Sequence, residues 1–578
     1  MDFKNAVIEH LASILNLDKS TLTDIVEIPP QRDMGDFAFP CFRFAKEYKK
    51  APNLIAIDFA ETLEASEEVA DFIDRIEAAG PYLNIYLNRA FYTASVTRSV
   101  LDAGEDFLKS DRGAGETVLV EFSSPNIAKP FHVGHGFSTI LGDVMANLYE
   151  HVGHDVLRLN HLGDYGTQFG KLMVAYEKWG DEDKLNENAI AELVRIYIKF
   201  HEVAENEPEL EDEARVRFRN LENGEEYEYN LWKKFREYSL VEFKDTYDRM
   251  GIRFDSYKGE ADYVDVLSDV VDILDEKGLL TESEGALVVD LEDEGMPPCI
   301  IRKSDGSSIY ATRDIAAALY RKEEYDFSKL VYVVGLPQSL HFKQFFTVLK
   351  KAGFEWANDM YFVGFGLVKF PGDVKFSTRS GEVIYLEELL DETVNKTKEI
   401  IVENNKNREE QMSPEEISES AEIIGLAAVR YTYIRNGRER DIIFDWDEVL
   451  DFEGDSAPYM LYSYARARSI LRKSGLSRSD LIEADLSLLD SAEEFELADE
   501  INKLHNSLDK ALENNEPSTL ARQVMATARS FSKFYNQVSI LQADSEELKL
   551  ARLALAEAFS TAMIVALRLL GMDTVERM

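Results

Sequence analysis

Cysteine is nearly absent from this chain, which has two among its 578 residues, Cys41 and Cys299. A disulfide framework and a cysteine-based zinc site both need more thiols than that. We therefore expect no structural metal, and we expect both thiols to lie in the core.

Long apolar runs are also missing, as is the basic-then-apolar leader that directs secretion. Residues 1–17 alternate apolar and charged side chains, as an amphipathic helix does. The most apolar stretch, residues 559–572, is interrupted by Arg568 and is too short to span a bilayer. These features predict a buried core helix, no association with membranes and a cytoplasmic location.

The pattern along the chain divides it into three regions. Residues 1–108 mix helical and strand patterns, residues 109–410 alternate strands with helices around a charged helical insertion at about 180–290, and residues 411–578 are helical. The predicted strands of the middle region are 117–122, 155–160, 329–334 and 360–367. The predicted helices of the last region are 415–433, 458–474, 499–514, 517–541 and 548–570.

This order predicts an α/β fold with a Rossmann-like, doubly wound parallel sheet. An α+β domain precedes the sheet, a helical insertion splits it, and an all-α bundle follows it. No internal repeat stands out.

Residues 123–135 form the most informative segment, Ser-Ser-Pro-Asn-Ile-Ala-Lys-Pro-Phe-His-Val-Gly-His. It lies between a predicted strand and an amphipathic helix that we expect to begin near Gly136. His132 and His135 then lie at the mouth of a helix, where unpaired backbone N–H groups and the helix dipole favour an anion. Gly134 allows a close approach to the backbone. The pattern predicts a nucleotide-phosphate site; ordinary helix capping is the alternative for His-x-Gly-His taken alone.

The shorter motif resembles the HIGH signature of class I aminoacyl-tRNA synthetases, and the longer string is similar to arginyl-tRNA synthetases. Further segments resemble the same family in the same order along the chain. They are residues 32–39, 80–88, 161–170, 304–314, 333–341 and 565–578. Tyr165 stands where the family usually has tryptophan. The resemblance implies a DALR-type anticodon-binding bundle at residues 411–578 and a tRNA-binding N-terminal module at residues 1–108.

The resemblance implies an arginine–tRNA ligase that uses ATP with Mg²⁺. Such an enzyme activates L-arginine as its adenylate and transfers it to the terminal ribose of arginine tRNA, releasing AMP and pyrophosphate. We expect a monomer that needs bound tRNA for efficient activation. Two alternatives stay open: a class I synthetase for another amino acid, such as glutamate, cysteine or lysine, and a non-catalytic paralogue that binds tRNA without charging it.

The predicted ATP site combines the first motif with a second loop. His132, Gly134 and His135 lie in the first motif, and residues 375–381 occupy the position of the family's KMSKS loop. Lys375 and Ser377 match that loop, but Thr378 replaces its second lysine. The resemblance implies that Lys129, just before the first motif, compensates. An exposed turn lysine is the alternative for Lys375.

The predicted arginine site needs acceptors for a planar guanidinium with five donors. Carried over by position, the family's contacts fall on Asn126 for the backbone groups and on Tyr310, Asp314 and Gln338 for the side chain. Glu121 is a further candidate. A helix N-cap is the alternative for Asp314, and a core strand residue is the alternative for Tyr310.

For tRNA, the sequence has a local excess of arginine in the helical region, with tyrosines interleaved. Arg435, Arg466 and Tyr462 are candidates for phosphate contact and base stacking. The family resemblance adds Met578 in the terminal tail. The alternative is that the tyrosines belong to the core.

Positive charge is in deficit over the whole chain, because 108 Asp and Glu outnumber 64 Lys and Arg, for a formal net charge of −44. Lys and Arg supply much of the affinity for nucleic acids. A chain with this large an excess of acidic residues should therefore repel tRNA. We therefore hypothesise a high-salt cytoplasm, where a Debye length of about 3 Å near 1 M screens the surface. An acidic protein of an ordinary cytoplasm is the alternative.

Overall fold

A small antiparallel sheet organises the N-terminal region of the computed structural model, which describes residues 2–66, 70–127, 129, 131–304, 309–371, 384–406 and 411–578. Tyr82–Leu87 lies in the middle of this sheet, between Phe37–Pro40 and Ile73–Ala79. The helices of this region are Phe3–Leu15, Lys19–Ile25, Ala45–Tyr48, Pro52–Glu64 and Arg89–Ala103. The first of them is the amphipathic helix predicted for residues 1–17, and it buries Val7 and Leu11.

Four parallel strands form the central sheet. Their order is Met360–Phe365, Lys329–Gly335, Thr117–Glu121 and Asp155–Leu159. All four were predicted from the sequence to within two residues at either end. They could be found because parallel strands are covered on both faces and are therefore continuous apolar runs.

Alternate residues of the Thr117–Glu121 strand face two separate cores. Val118 and Val120 belong to one core and Leu119 to the other, and all three are fully buried. Helices therefore cover both faces, as the doubly wound prediction requires. Tyr310–Tyr325 and Ser339–Lys351 cover one face, and Val133–His151, called the motif helix below, covers the other.

The chain turns sharply after the Thr117–Glu121 strand. Ser123 and Ser124 both have positive φ, 68° and 45°, before Pro125. The motif helix then passes close to the end of the strand, because a Cβ at Gly142 would lie 2.2 Å from Cβ of Phe122. This contact fixes the start of the motif helix over the carboxyl edge of the sheet.

The insertion is mainly helical, as predicted. The helix Thr167–Trp179 leads into it. The helices of the insertion itself are Glu182–Glu187, Ala189–Ala204, Glu209–Glu222, Glu226–Arg249 and Leu267–Glu276. A three-stranded antiparallel sheet that was not predicted then follows. Its strands are Leu280–Ser283, Ala286–Val289 and Cys299–Arg302.

The C-terminal region is a helical bundle. Two helices, Leu386–Asn405 and Pro414–Ile434, lead from the sheet into it, and the short strands Val368–Lys369 and Ile442–Ile443 pair beside them. The further helices are Trp446–Val449, Ala457–Ser474, Arg478–Ile482, Ala492–Glu513, Ser518–Gln537 and Glu546–Leu569. The predicted helix at 499–514 thus begins seven residues earlier than expected, at Ala492.

Glu546–Leu569 is long and apolar enough to cross a membrane, with a mean hydropathy of 1.7 over its most apolar 18-residue window. However, 83% of that window is buried inside the protein. The core helix predicted for this region is therefore present, but the expectation that it is too short to span a bilayer is wrong. Cys41 and Cys299 are both buried and free, which confirms the prediction of two core thiols.

Candidate active site

His132 and His135 cap the N-terminus of the motif helix with their own side chains. His132 is the N-cap residue, and its Nδ1 accepts a hydrogen bond from the backbone N–H of Gly134 at 3.1 Å. Nδ1 of His135 accepts in turn from the backbone N–H of His132 at 3.2 Å. Capping, the alternative considered for this motif, is therefore present, but it uses only one nitrogen of each ring.

The second nitrogen of each ring decides what the motif can do. A neutral imidazole that accepts at Nδ1 carries its proton on Nε2, so both histidines are Nε2–H donors. The two rings are stacked with their centroids 3.9 Å apart, and the ring of Phe131 stacks on His135 at 5.3 Å. The rigid stack presents two donors at the positive end of a helix.

Both imidazoles are held neutral. Burial lowers the pKa of His135 to about 3, with smaller contributions from His132 and Lys129. Burial also lowers the pKa of His132, and the nearby Lys129 acts in the same direction. At neutral pH the histidines therefore offer hydrogen-bond donors, and positive charge comes from the exposed Lys129.

Gly134 has a steric reason to be glycine. A Cβ at this position would lie 2.9 Å from Cε1 of His132. A larger residue would therefore push the His132 ring out of its capping position. Lys375, Ser377 and Thr378 of the predicted second loop lie outside the described residues.

Two of the predicted arginine contacts lie one turn apart on a single helix. Tyr310 is the first residue of Tyr310–Tyr325 and is 63% exposed, and Asp314 follows in the next turn. Ile309 is the N-cap residue, so the alternative that Asp314 caps this helix is wrong. The alternative that Tyr310 is a core strand residue is also wrong.

Asn126 and Gln338 follow two neighbouring strands at the same sheet edge. Asn126 forms an isolated parallel bridge with Gly163, where a Cβ would lie 2.5 Å from Oδ1 of Asn126. Gln338 is exposed at the end of the short 3₁₀ turn Leu336–Gln338, directly after Lys329–Gly335. Strand ends thus bring both residues to the edge that carries the histidines.

Glu121 already has a cationic partner inside the protein. Its Oε2 lies 2.5 Å from NH1 of Arg321, whose side chain is 2% exposed. Arg321 also contacts Nδ1 of His161 at 3.3 Å and the hydroxyl of Tyr332 at 3.4 Å. Sequence analysis missed Arg321, because nothing in the local pattern separates it from a surface arginine of the same helix.

The predicted tRNA contacts fall into two groups. Arg466 lies between two partly exposed rings, 4.5 Å from the centroid of Tyr462 and 4.8 Å from that of Tyr535. Arg435, in contrast, is engaged within the protein, because its guanidinium lies 2.7 Å from Glu448 and its side chain is 13% exposed. Met578 packs against the bundle core.

Two further residues from the arginine- and tyrosine-rich part of the helical region are internal. Arg430 is buried against Asp143, and Tyr464 is 3% exposed. The core alternative therefore holds for Tyr464 but not for Tyr462.

A parallel sheet with a His-x-Gly-His helix mouth at its carboxyl edge, joined to a helical bundle, defines a class I aminoacyl-tRNA synthetase. Family models match the whole arrangement. Residues 1–87 match the arginyl tRNA synthetase N terminal domain, residues 97–446 the catalytic domain of class I (R) tRNA synthetases, and residues 460–578 the DALR anticodon binding domain. The chain belongs to the arginyl-tRNA synthetase family.

Relatives and solved structures agree with this assignment over the full chain. The chain is 50% identical to an arginine–tRNA ligase of Clostridium acetobutylicum and 48% identical to one of Clostridium botulinum, each over 100% of both chains. Its fold matches the arginyl-tRNA synthetase of Thermus thermophilus with a TM-score of 0.79 and 26% identity, covering 100% of both chains. The Plasmodium falciparum arginyl-tRNA synthetase shares the fold with a TM-score of 0.78 and 24% identity, over 100% of this chain and 99% of that one.

Proposed function

We propose that this enzyme is an arginine–tRNA ligase that works in two steps. The carboxylate of L-arginine attacks the α-phosphorus of ATP, forming arginyl-adenylate and releasing pyrophosphate. A ribose hydroxyl of the tRNA 3′ end then attacks the carbonyl of the adenylate, releasing AMP. The observation that carries the first step is the pair of Nε2–H donors at the mouth of the motif helix.

Phosphoryl chemistry of this kind needs preplaced donors and cations, since charge develops on phosphate oxygens. His132 and His135 supply donors that are oriented before ATP arrives, whereas the amides of the first helical turn are already hydrogen-bonded within the protein. Lys129 supplies positive charge beside them, and Lys375 and Ser377 are proposed to close on the phosphates from the second loop. Because burial keeps both imidazoles uncharged, they bind phosphate by hydrogen bonds and not as ion pairs.

Magnesium is proposed to enter with the nucleotide. Among the residues that the structure describes, no group of three or more His, Cys, Asp or Glu side chains is arranged to hold a metal ion. Bridging oxygens of the ATP phosphates are ordinary Mg²⁺ ligands, and a protein can bind the ion through them with few groups of its own.

The guanidinium of the substrate is proposed to bind between Tyr310, Asp314 and Gln338, while Asn126 holds the backbone groups. One oxygen of Glu121 is paired with Arg321, so Glu121 has only its other oxygen to offer. A site built from acceptors rejects lysine and citrulline, because the wrong side chain leaves acceptors that the bound substrate covers unpaired. No editing activity is then required.

For tRNA, we propose a binding surface that extends from the N-terminal module, residues 1–108, past the catalytic region, residues 109–410, to the bundle, residues 411–578. Arg466, held between Tyr462 and Tyr535, supports phosphate contact beside a stacking surface. Met578 is proposed to meet the anticodon region. Arg435 would have to leave Glu448 before it could reach a phosphate.

We further propose a monomeric cytoplasmic enzyme, without membrane contact, that works best in concentrated salt. The formal net charge of −44 supports the last point, since self-repulsion falls as salt shortens the Debye length. Activity and stability should then rise with KCl and reach their maxima well above 0.2 M. Maxima at low salt would instead support the ordinary acidic alternative.

The decisive experiment is aminoacylation of total tRNA with each labelled amino acid, with ATP and Mg²⁺, at low and at molar KCl. Arginine alone should be charged. Charging with glutamate, cysteine or lysine would point to another class I synthetase. If tRNA binds but no amino acid is charged at either salt concentration, the protein is a non-catalytic paralogue.

A further inference from the structure

Nε2 of His341 lies 2.5 Å from Oδ2 of Asp314. The contact joins two helices that follow different strands of the sheet. Asp314 lies on Tyr310–Tyr325, which also carries Tyr310, and His341 lies on Ser339–Lys351, whose N-cap residue is Gln338. This hydrogen bond therefore connects the two helices that carry the side-chain ligands proposed for the arginine guanidinium.

The imidazole of His341 is itself held in place. Its ring centroid lies 5.4 Å from that of Phe342 and 5.6 Å from that of Phe345, and both phenylalanines are buried. Since an ionised carboxylate only accepts hydrogen bonds, Nε2 of His341 is the donor in this pair. The aromatic contacts and the short bond together leave the Asp314 carboxylate little freedom to rotate.

Other carboxylates near this end of the sheet are compensated by guanidinium groups of the protein. Oε2 of Glu260 lies 2.6 Å from NH1 of Arg313, and Glu121 is paired with Arg321. Within the described part of the chain, Asp314 has no lysine or arginine at ion-pair distance, and the group at that distance is the imidazole of His341. Asp314 is thus the carboxylate of the three that keeps room for an external cation.

We propose that His341 is a positioning residue for arginine recognition: it fixes one oxygen of Asp314 with an N–H bond, so that the carboxylate is oriented to receive the substrate guanidinium. This inference rests on the proposed role of Asp314 in the ligase reaction. An imidazole suits this role because it offers Asp314 a single N–H donor. A guanidinium of the protein would offer five donors and would compete with the substrate guanidinium for the same carboxylate. Binding to an oriented carboxylate costs less conformational entropy than binding to a rotating one.

The test compares His341→Ala with His341→Gln in arginine-dependent ATP–pyrophosphate exchange, with tRNA present. His341→Ala should raise KM for arginine about tenfold, and this rise corresponds to about 1.4 kcal/mol of lost arginine binding. KM for ATP should change less than twofold. His341→Gln, whose amide nitrogen can take the place of Nε2, should recover most of the loss. Lys343→Ala, an exposed position on the same helix, is the matched control and should behave as wild type.

Asp314→Asn is measured in parallel to separate this inference from the proposed site. If Asp314→Asn leaves arginine kinetics unchanged, the guanidinium site itself is misassigned. If Asp314→Asn raises KM for arginine but His341→Ala does not, the positioning role is overturned. Equal rises in KM for arginine and for ATP in His341→Ala, with no recovery in His341→Gln, would mean a structural role only and would also overturn it.

Discussion

The guanidinium of Arg430 lies 2.8 Å from the carboxylate of Asp143, with both side chains at most 6% exposed. Arg430 belongs to Pro414–Ile434 and Asp143 to the motif helix, so the pair connects the helical region to the helix that carries the ATP motif. Arg430 also donates to the backbone carbonyl of Met250, at the end of helix Glu226–Arg249 in the insertion. Three parts of the chain thus meet at one guanidinium.

Breaking this pair from one side should be costly. Arg430→Met leaves the Asp143 carboxylate buried without a partner and is expected to lower the free energy of unfolding by about 3–5 kcal/mol. Urea unfolding measures the effect. Arg215→Met, which breaks an exposed pair with Asp212, is the control and should cost no more than about 1 kcal/mol. A loss of that small size at Arg430 would show that the buried pair is not a significant contact.

Replacing His132 by asparagine should separate capping from chemistry. The Oδ1 of asparagine can still accept from Gly134, which keeps the cap, but the Nε2–H donor is lost. We expect kcat for ATP–pyrophosphate exchange to fall about 100-fold, with Tm and the Kd for tRNA nearly unchanged. His201→Asn, at an exposed position in the insertion, serves as the control. A wild-type rate in His132→Asn would reject the phosphate role.

The buried His135 should make the protein less stable in mild acid. Its pKa falls from 6.5 to about 3 on folding, because burial disfavours the charged ring. Between these values the unfolded chain binds a proton that the folded chain does not, so the contribution is absent above pH 6.5 and grows as pH falls. Wild type should lose about 1 kcal/mol more than His135→Asn between pH 6 and pH 5. Urea unfolding of both proteins at pH 6 and pH 5 measures the difference. If both proteins lose the same free energy of unfolding between these pH values, the prediction is contradicted.

Gly142 should not tolerate a side chain. Its Cβ would lie 2.2 Å from Phe122, so Gly142→Ala should push the motif helix off the strand end and lower stability by about 1–3 kcal/mol. The rate of ATP–pyrophosphate exchange should fall as well, since His132 moves with the helix. Gly437→Ala is the control, because the nearest atom to its Cβ is 3.9 Å away. Wild-type stability and exchange rate in Gly142→Ala would contradict this prediction.

Local patterns predicted most of the fold but placed some helix ends wrongly. The four parallel strands were found because apolar runs identify them. The helix that begins at Tyr310 has Ile309 as its N-cap residue, whose side chain cannot cap, so the sequence had no capping signal there and Asp314 was considered as the alternative cap. The helix that begins at Ala492 was predicted to begin at residue 499. A signal for the earlier start was present, because Ser491 and Glu494 form a capping box.

The site was predicted one residue at a time, and its internal pairings were not. Position along the chain brought Glu121, Asn126 and Gln338 to one sheet edge, as expected from the carboxyl ends of parallel strands. It could not show that Arg321 pairs with Glu121, about 200 positions away, or that His341 pairs with Asp314. Such pairs depend on how helices are set against each other, which no local spacing specifies.

The packing of the motif helix also has a consequence during translation. Pro414–Ile434, Ala492–Glu513 and Glu546–Leu569 all contact this helix, although the ribosome makes them hundreds of residues later. Until the last of them has left the exit tunnel, part of the apolar surface of the motif helix has no cover. The nascent nucleotide site should therefore be a target for chaperones, and it can reach its final form only after Glu546–Leu569 has left the tunnel.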